Sequence, residues 1–333
     1  MIKILKKQWF VVLIAIIFIG FAVFCVYDTN KDKLPGKSVD GQDIVAGLKD
    51  NENITADELY ESLNKTYGKN MLFMKFQTAV INQSVETTDE LKEEAETYET
   101  NFTAYMESQA SSYGTDVNTL ITQQIAQYGY EEDELSEYCL MVAKMNKMQN
   151  DYISAHLEEL FTPIYKEGKS RTVSHILVKM EDVDNPTDEE KEKVDKIEKA
   201  LKDGTSFADV AKEYSDDEAS KPNGGYLGYM DDKTSYVDSF KEAAFKLKAG
   251  ETSEWVKESN DSYSGWHLIL VEETDKDAIM KSEKAKDSLY EAIANQTENL
   301  FNTYLLEASE KLDIQYANDD VKNQIMDILK VEE

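Results

Sequence analysis

Residues 173–178 read Val173-Ser174-His175-Ile176-Leu177-Val178, a run of mostly branched apolar side chains that contains one histidine. Val173, His175 and Leu177 alternate along this run with Ser174, Ile176 and Val178. A short run of this composition predicts a β-strand that is buried on at least one face. We therefore place a buried strand near the start of a folded domain.

Helices and strands follow this first strand in a mixed order. Thr187 and Glu190 form a capping-box pattern that opens a charged helix ending at Gly204. Two shorter segments, 207–214 and 240–247, carry apolar residues at helical spacing. Further strands are expected at 226–230, 255–256 and 266–271. Together these elements predict a small α+β domain over residues 169–275.

Both flanks of this domain have a helical pattern. Residues 54–168 contain no proline before Pro163, and Thr55 with Glu58 predicts a capped helix start. After Asp275 apolar residues again recur at near-helical spacing. Helices on both sides of an α+β domain indicate that residues 276–333 pack with residues 54–168. The middle domain is then an insertion between two halves of one helical part.

The first thirty residues predict a membrane anchor. An uncharged apolar run of nineteen residues, Trp9 to Tyr27, follows three lysines, and as a helix it nearly matches a bilayer core of ~30 Å. The basic N-terminal tail predicts a single-pass protein of the cell membrane with its bulk extracytoplasmic. A second interpretation is a lipoprotein anchored at Cys25. Residues 31–53 read as a polar linker.

The composition excludes several classes of function. The 333 residues include 36 basic and 66 acidic side chains, so the formal net charge is −30. Nucleic-acid partners are excluded, because affinity for phosphates comes largely from lysine and arginine and Arg171 is the only arginine. Two cysteines and three histidines leave little material for a disulfide framework or a structural zinc site.

Six blocks of the middle domain carry a recognisable signature. The first is the strand at 173–178. The others are Gly204-Thr205-Ser206-Phe207-Ala208-Asp209-Val210-Ala211, Tyr214-Ser215-Asp216-Asp217, Gly224-Gly225-Tyr226-Leu227-Gly228, Phe240 to Phe245, and Gly250-Glu251 with Ser264-Gly265-Trp266-His267-Leu268-Ile269. In this order they resemble the parvulin family of peptidyl-prolyl cis-trans isomerases. The resemblance implies a small antiparallel sheet wrapped by helices, inserted here between helical segments.

The resemblance also implies the residues of an active site. By it, His175 and His267 form a hydrogen-bonded pair beneath the pocket, with Asp217 beside them. Hydroxyl positions of the same network fall at Ser262 and Ser264. The proline pocket is lined by Leu227, Met230, Tyr236 and Phe240. Tyr236 stands where methionine is common in the family, so the shape of the pocket departs from the family pattern more than the network does.

The implied reaction requires no cofactor and no metal. A site of two histidines and one carboxylate can bind iron, but the spacing of His175, Asp217 and His267 does not suggest ligation. Acidic residues at 181–184 would repel a phosphate, which argues against clients marked by phosphoserine. The alternative to an isomerase is a catalytically silent holdase chaperone that binds unfolded clients through its helical part.

With its anchor and helical flanks, the whole chain resembles the extracytoplasmic foldases of the PrsA type. That resemblance implies that the clients are unfolded or partly folded exported proteins that contain Xaa-Pro segments. The membrane is contacted through the N-terminal helix, and whether the flanks form a homodimer is left open.

Overall fold

The computed structural model describes residues 38–39, 42–47, 53–259 and 264–330, and the chain divides into two compact units, Met1–Lys75 and Phe76–Glu333. The predicted membrane anchor, including Cys25, and the loop that carries Ser262 lie outside the described residues. Among the helices that are described, none is long and apolar enough to cross a bilayer.

The first unit contains a three-stranded antiparallel sheet followed by a helix. Strands β1 (Ser38–Val39), β2 (Gln42–Gly47) and β3 (Asn53–Thr55) pair in chain order. Helix α1 (Ala56–Leu63) begins at Thr55, whose hydroxyl accepts the Glu58 amide at 3.1 Å, as the sequence predicts. The segment predicted as a linker therefore contains paired strands, which β-branched residues such as Ile44 and Ile54 favour.

A run of helices begins the second unit. A π-helical turn (Asn64–Gly68) leads into α2 (Lys69–Ser84), which crosses the boundary between the units. The helices that follow are α3 (Asp89–Tyr113), α4 (Val117–Ala126), α5 (Leu135–Ala155) and α6 (Leu157–Glu167). Helix α3 ends at Gly114, whose left-handed backbone (φ +65°) closes the last turn. Buried residues of these helices, among them Ile81, Ile125 and Cys139, form their core.

A four-stranded antiparallel sheet follows, in the order β5-β4-β7-β6. Its strands are β4 (Arg171–Lys179), β5 (Tyr226–Met230), β6 (Val256–Ser259) and β7 (Ser264–Glu273). Strand β4, which contains the run 173–178, lies between β5 and β7. It is buried from Arg171 to Val178 because both of its faces are covered.

Alternation along the two central strands divides the domain into two cores. Even-numbered residues such as Ile176 and Leu268 face α7 (Asp188–Lys202) and α8 (Phe207–Tyr214). Odd-numbered residues such as Val173 and Ile269 pack instead with α9 (Asp238–Lys246). The predicted capping box of Thr187 and Glu190 is present at the start of α7.

The chain then returns to helices: α10 (Lys276–Met280), α11 (Lys286–Gln296), α12 (Leu300–Glu310) and α13 (Asp319–Leu329). Helix α11 packs on β5, the edge strand, where Ser288 accepts the Tyr229 amide at 2.8 Å. Tyr304 of α12 lies 6.2 Å, between ring centroids, from Tyr152 of α5. Helices that precede the sheet in the sequence are thus in contact with helices that follow it.

Candidate active site

The sheet brings two distant histidines together. Strand pairing sets Leu177 opposite His267 and His175 opposite Ile269, so both histidines point to the same face. Nδ1 of His175 lies 3.2 Å from Nδ1 of His267, and the two rings stack with centroids 5.4 Å apart. Both side chains are buried, and Phe240 of α9 meets each ring edge-on.

Asp217 reaches the pair from the loop after α8. The Asp216 amide donates to the Leu177 carbonyl at 2.8 Å, and the Ser215 hydroxyl accepts the Leu177 amide at 3.2 Å, so the loop is tied to β4. Oδ2 of Asp217 then lies 2.8 Å from Nε2 of His175. The hydroxyl of Ser220 donates to the same oxygen.

The environment fixes the charges of this network. Burial lowers the pKa of His175 below 6.5, although Asp217 opposes the shift. Burial and the neighbouring His175 lower the pKa of His267 to about 4. Burial alone would raise the pKa of Asp217, but hydrogen bonds from Ser220 and His175 outweigh it and hold this pKa below its usual range. At neutral pH the site therefore holds two neutral imidazoles and one carboxylate.

Hydrogen bonding then assigns the imidazole protons. The Asp217 carboxylate can only accept, so Nε2 of His175 carries a proton and donates it. Nδ1 of a neutral His175 is then an acceptor, and Nδ1 of His267 is the donor to it. Asp217, His175 and His267 form a linear series of hydrogen bonds and do not converge on one point. The described residues contain no cluster of three or more histidine, cysteine or acidic side chains that could hold a metal.

An apolar cavity of about 420 Å³ opens above the histidine pair. Three of the residues predicted to line a proline pocket, Leu227, Tyr236 and Phe240, line this cavity together with His175, His267 and Asp217. Burial, with the charges of Asp217 and Glu291, raises the pKa of Tyr236. This tyrosine therefore keeps its proton at neutral pH.

Two further predicted residues lie elsewhere. Met230 is fully buried in the core cluster with Val173 and Ile269, against which the side chains of the cavity pack. Ser264 is the first residue of β7 and pairs with Ser259, and strand alternation puts it on the face opposite His267. Ser262 lies outside the described residues.

Three residues that line the cavity and one that supports it were not predicted from the sequence. Leu177, Ser235 and Val237 contribute to the lining, and Ser220 hydrogen-bonds Asp217. A signal existed for Leu177, because it follows His175 by two positions on the same strand face. Ser235 and Val237 flank Tyr236 in a loop, where no periodicity indicates direction.

Gly225 allows the turn before β5 to approach the histidine strand closely. Its carbonyl oxygen accepts a hydrogen bond from the backbone N–H of His175 at 2.8 Å, and its backbone is left-handed with φ +78°. A Cβ at this position would lie 2.1 Å from the carbonyl oxygen of His175. Only glycine fits between the turn and the strand.

Comparisons with known proteins agree with this geometry. A family model described as a PPIC-type PPIase domain matches residues 161–277. The foldase protein PrsA of Bacillus subtilis is 30% identical over 295 residues, 85% of this chain and 86% of that protein. Foldase protein PrsA 2 of Listeria innocua is 30% identical over 290 residues, 84% and 86% of the two chains.

The fold matches as well as the sequence. The crystal structure of PrsA from Bacillus subtilis aligns with a TM-score of 0.50 and 27% identity, and the alignment covers 86% of this chain and 98% of that one. Similarity therefore extends over the helical flanks as well as the sheet. On this evidence the chain belongs to the PrsA family of foldases.

Proposed function

We propose that this protein is a peptidyl-prolyl cis-trans isomerase and a folding factor for exported proteins, and that the cavity above His175 and His267 is its active site. The observation that carries the proposal is the juxtaposition of a neutral, hydrogen-bonded histidine pair with an apolar cavity that can admit a proline ring. The match to the PPIC-type PPIase domain over residues 161–277 supports the same activity.

The reaction needs no bond making. Rotation about an Xaa-Pro bond breaks amide resonance against a barrier of ~18–20 kcal/mol, and the twisted amide has less charge separation than the planar one. A water-excluding apolar pocket therefore favours the twisted state over the ground state. In this cavity Leu227, Tyr236 and Phe240 would grip the proline ring.

The polar network acts by staying fixed and uncharged. Asp217 holds His175 in one tautomer, and His175 in turn orients His267. A polar floor that is already oriented loses no free energy to reorganisation when the amide twists. Ser262 remains a candidate for the network on the family resemblance alone, whereas Ser264 lies on the opposite face of β7 from His267.

The remaining parts of the chain have supporting roles in this proposal. Residues 169–275 form the isomerase domain, and residues 54–168 with 276–333 form a chaperone-like helical part that receives unfolded clients. The segment at 9–27 anchors the chain in the cell membrane with its bulk outside, either as an uncleaved helix or, in the alternative, through a lipid on Cys25. Incorporation of labelled palmitate at Cys25 would decide for the lipid.

Histidine variants test the activity. We expect His175→Ala and His267→Ala each to lower kcat/KM for a short Xaa-Pro peptide by about tenfold, the equivalent of one lost hydrogen bond. The matched control is His156→Gln, since His156 lies between α5 and α6 and stacks on Tyr152 at 4.2 Å. Unchanged activity in the His175→Ala/His267→Ala double variant would refute the proposed site. A protein that suppresses client aggregation but never accelerates isomerisation is the holdase of the alternative reading.

A further inference from the structure

Two further cavities continue from the catalytic cavity. The first, of about 440 Å³, shares Leu227, Ser235 and Tyr236 with it. The second, of about 500 Å³, shares Lys233 and Gln296 with the first and reaches helix α6. We call these two cavities together the flanking groove. Each has the volume of an ordinary ligand cleft, ~300–1,000 Å³.

The flanking groove has fixed walls. One wall is the loop 231–237, which is pinned by the fully buried Asp231: its Oδ1 accepts the amides of Lys233 at 2.9 Å and Thr234 at 3.1 Å. The other wall is α11, and Gln296 of this helix donates to Oδ2 of Asp231 at 2.7 Å. Hydrogen bonds at its base therefore hold the groove open at a set width.

Acidic side chains dominate the rim of the flanking groove. Glu291, Glu159, Glu167 and Asp232 are exposed there, and they face one lysine, Lys233. None of the four carboxylates forms an ion pair within the part of the chain that is described. Their charge is available to a ligand.

The flanking groove and the catalytic cavity are also coupled electrostatically. Glu291 belongs to the flanking groove, yet its charge contributes, after burial and Asp217, to the raised pKa of Tyr236 in the catalytic cavity. A cation held beside Glu291 would therefore lie next to the proline site.

We infer that a client chain bound by its proline continues along the flanking groove, and that the acidic rim favours clients with lysine or arginine in the segment beside the proline. The inference rests on the proposed function, because it takes the catalytic cavity as the proline site. An Xaa-Pro bond inside a polypeptide forces the chain to leave the cavity, and the adjoining groove offers it contacts. Complementary charge then selects among clients.

Two families of peptides test this inference. Each extended peptide has one Xaa-Pro bond and carries lysines or glutamates on one flank, and a short peptide spans the catalytic cavity only. We expect the lysine-flanked peptide to have a kcat/KM about two- to fivefold higher than the glutamate-flanked one for each exposed charge pair formed, and salt to reduce this ratio.

Variants of the groove supply the decisive comparison. The substitutions Glu291→Gln and Glu167→Gln should lower the lysine-to-glutamate ratio, whereas Glu283→Gln, an exposed acid outside the groove, should leave it unchanged. Asn295→Trp, which adds bulk inside the groove, should weaken extended peptides relative to the short one. Equal ratios in all variants, or no preference in the parent protein, would overturn the inference.

A binding measurement separates this inference from the proposed function. Fluorescence anisotropy of labelled extended peptides reports groove affinity without catalysis. If the short peptide is never isomerised but the lysine preference in Kd responds to Glu291→Gln, the isomerase proposal fails and the groove stands. If isomerisation is normal and the preference is absent, the opposite holds.

Discussion

At the scale of the residue, the two histidines of the site share one hydrogen bond but differ in their surroundings. His175 has a carboxylate at 2.8 Å that partly offsets its burial, whereas the main neighbours of His267 are the cavity, Phe240 and the other imidazole. The pKa of both is lowered, and that of His267 falls to about 4. Neutrality of the pair is thus a property of the fold.

This neutrality predicts an acid-tolerant activity. An ordinary histidine changes charge near pH 6.5, but here the pKa values of both histidines are lowered, so kcat/KM should stay level through pH 6.5 and fall only at lower pH, with the His267 step near pH 4. Measurement of kcat/KM across this range checks it. A loss of half the activity near pH 6.5 would contradict the assignment, and His156→Gln should leave the profile unchanged.

Stability should show the same linkage. Between pH 6.5 and 4 the unfolded chain binds protons at these histidines that the folded chain does not, so the free energy of unfolding is full above pH 6.5 and falls as pH drops. His267 alone accounts for up to about 3 kcal/mol. Urea unfolding at several pH values gives the free energy of unfolding as a function of pH. This free energy should fall less steeply with decreasing pH in His267→Ala than in the parent. The same pH dependence in both proteins would count against a buried neutral imidazole.

The side chains of the site could be predicted only where strand alternation or an ordered motif determines the face to which a side chain points. His175, His267 and Asp217 come together as the family resemblance implies. Met230 could not be placed from sequence, since a bulge in the β4–β5 pairing sets which side chains enter the core. Its neighbour Leu227 meets the cavity instead.

At the scale of the element, helix α9 is held by the only arginine of the chain. The buried guanidinium of Arg171 donates to the carbonyls of Ala244 and, at 3.2 Å, Leu247, and it lies 4.9 Å from the centroid of the Phe245 ring. It therefore adds a second donor to the Ala244 carbonyl, which also accepts the Leu247 amide at 3.2 Å, and supplies a donor to the Leu247 carbonyl just beyond the helix. Because α9 also carries Phe240, this contact positions the wall of the cavity.

Replacement of this arginine should destabilise the domain. Arg171→Met removes the side-chain donor to the Leu247 carbonyl and one of the two donors to the Ala244 carbonyl, so we expect a loss of about 2 kcal/mol in the free energy of unfolding, with a lower kcat/KM. Lys246→Met, an exposed change in the last turn of the same helix, should stay within about 0.5 kcal/mol. Urea unfolding of both variants measures this, and equal stabilities would disprove the capping role.

A pair of glycines separates crowding from backbone strain. Gly225 and Gly250 have nearly equal φ, +78° and +81°, but a Cβ at Gly250 meets nothing within 4 Å. Gly250→Ala should cost about 1–2 kcal/mol from the left-handed backbone alone. Gly225→Ala should cost at least about 3 kcal/mol and reduce activity, since the turn must move away from His175. Thermal unfolding distinguishes them, and equal losses would argue against crowding.

Most elements of the sheet domain could be predicted, because periodicity and caps agree there. The capping box at Thr187 and the strand at 226–230 stand where expected. The short strands β1 to β3 were missed, since a polar stretch with glycine and proline resembles a linker until its pairing partners are known. Pairing is a non-local property that composition does not report.

At the scale of the whole molecule, the C-terminal helices complete the sheet domain. Helix α11 covers the edge strand β5, whose Tyr229 amide donates to Ser288. Gly228 allows this close approach, as a Cβ there would lie 2.4 Å from the Ser288 hydroxyl. An edge that would otherwise offer free backbone groups is thereby protected.

Loss of one contact across this interface should loosen β5 selectively. Gln296→Ala removes a donor to the fully buried Asp231, and we expect faster amide hydrogen exchange in β5 with little change in β7. The matched control is Asn302→Ala, whose side chain donates to Ile328 at 3.0 Å within the terminal helices. A uniform change along both strands would show that the interface does not stabilise β5 locally.

The pairing of Thr172 with Glu273 has a consequence for the order of folding. Contact between Tyr152 and Tyr304 closes a loop of about 150 residues in an unstructured chain. Once the sheet has formed, Thr172 and Glu273 are neighbours, and the loop that remains to be closed is effectively about 50 residues. The entropic cost of bringing the helical halves together then falls by about 1 kcal/mol. The folded sheet domain thus shortens the loop between the two helical halves, and their association costs less entropy when the sheet domain folds first.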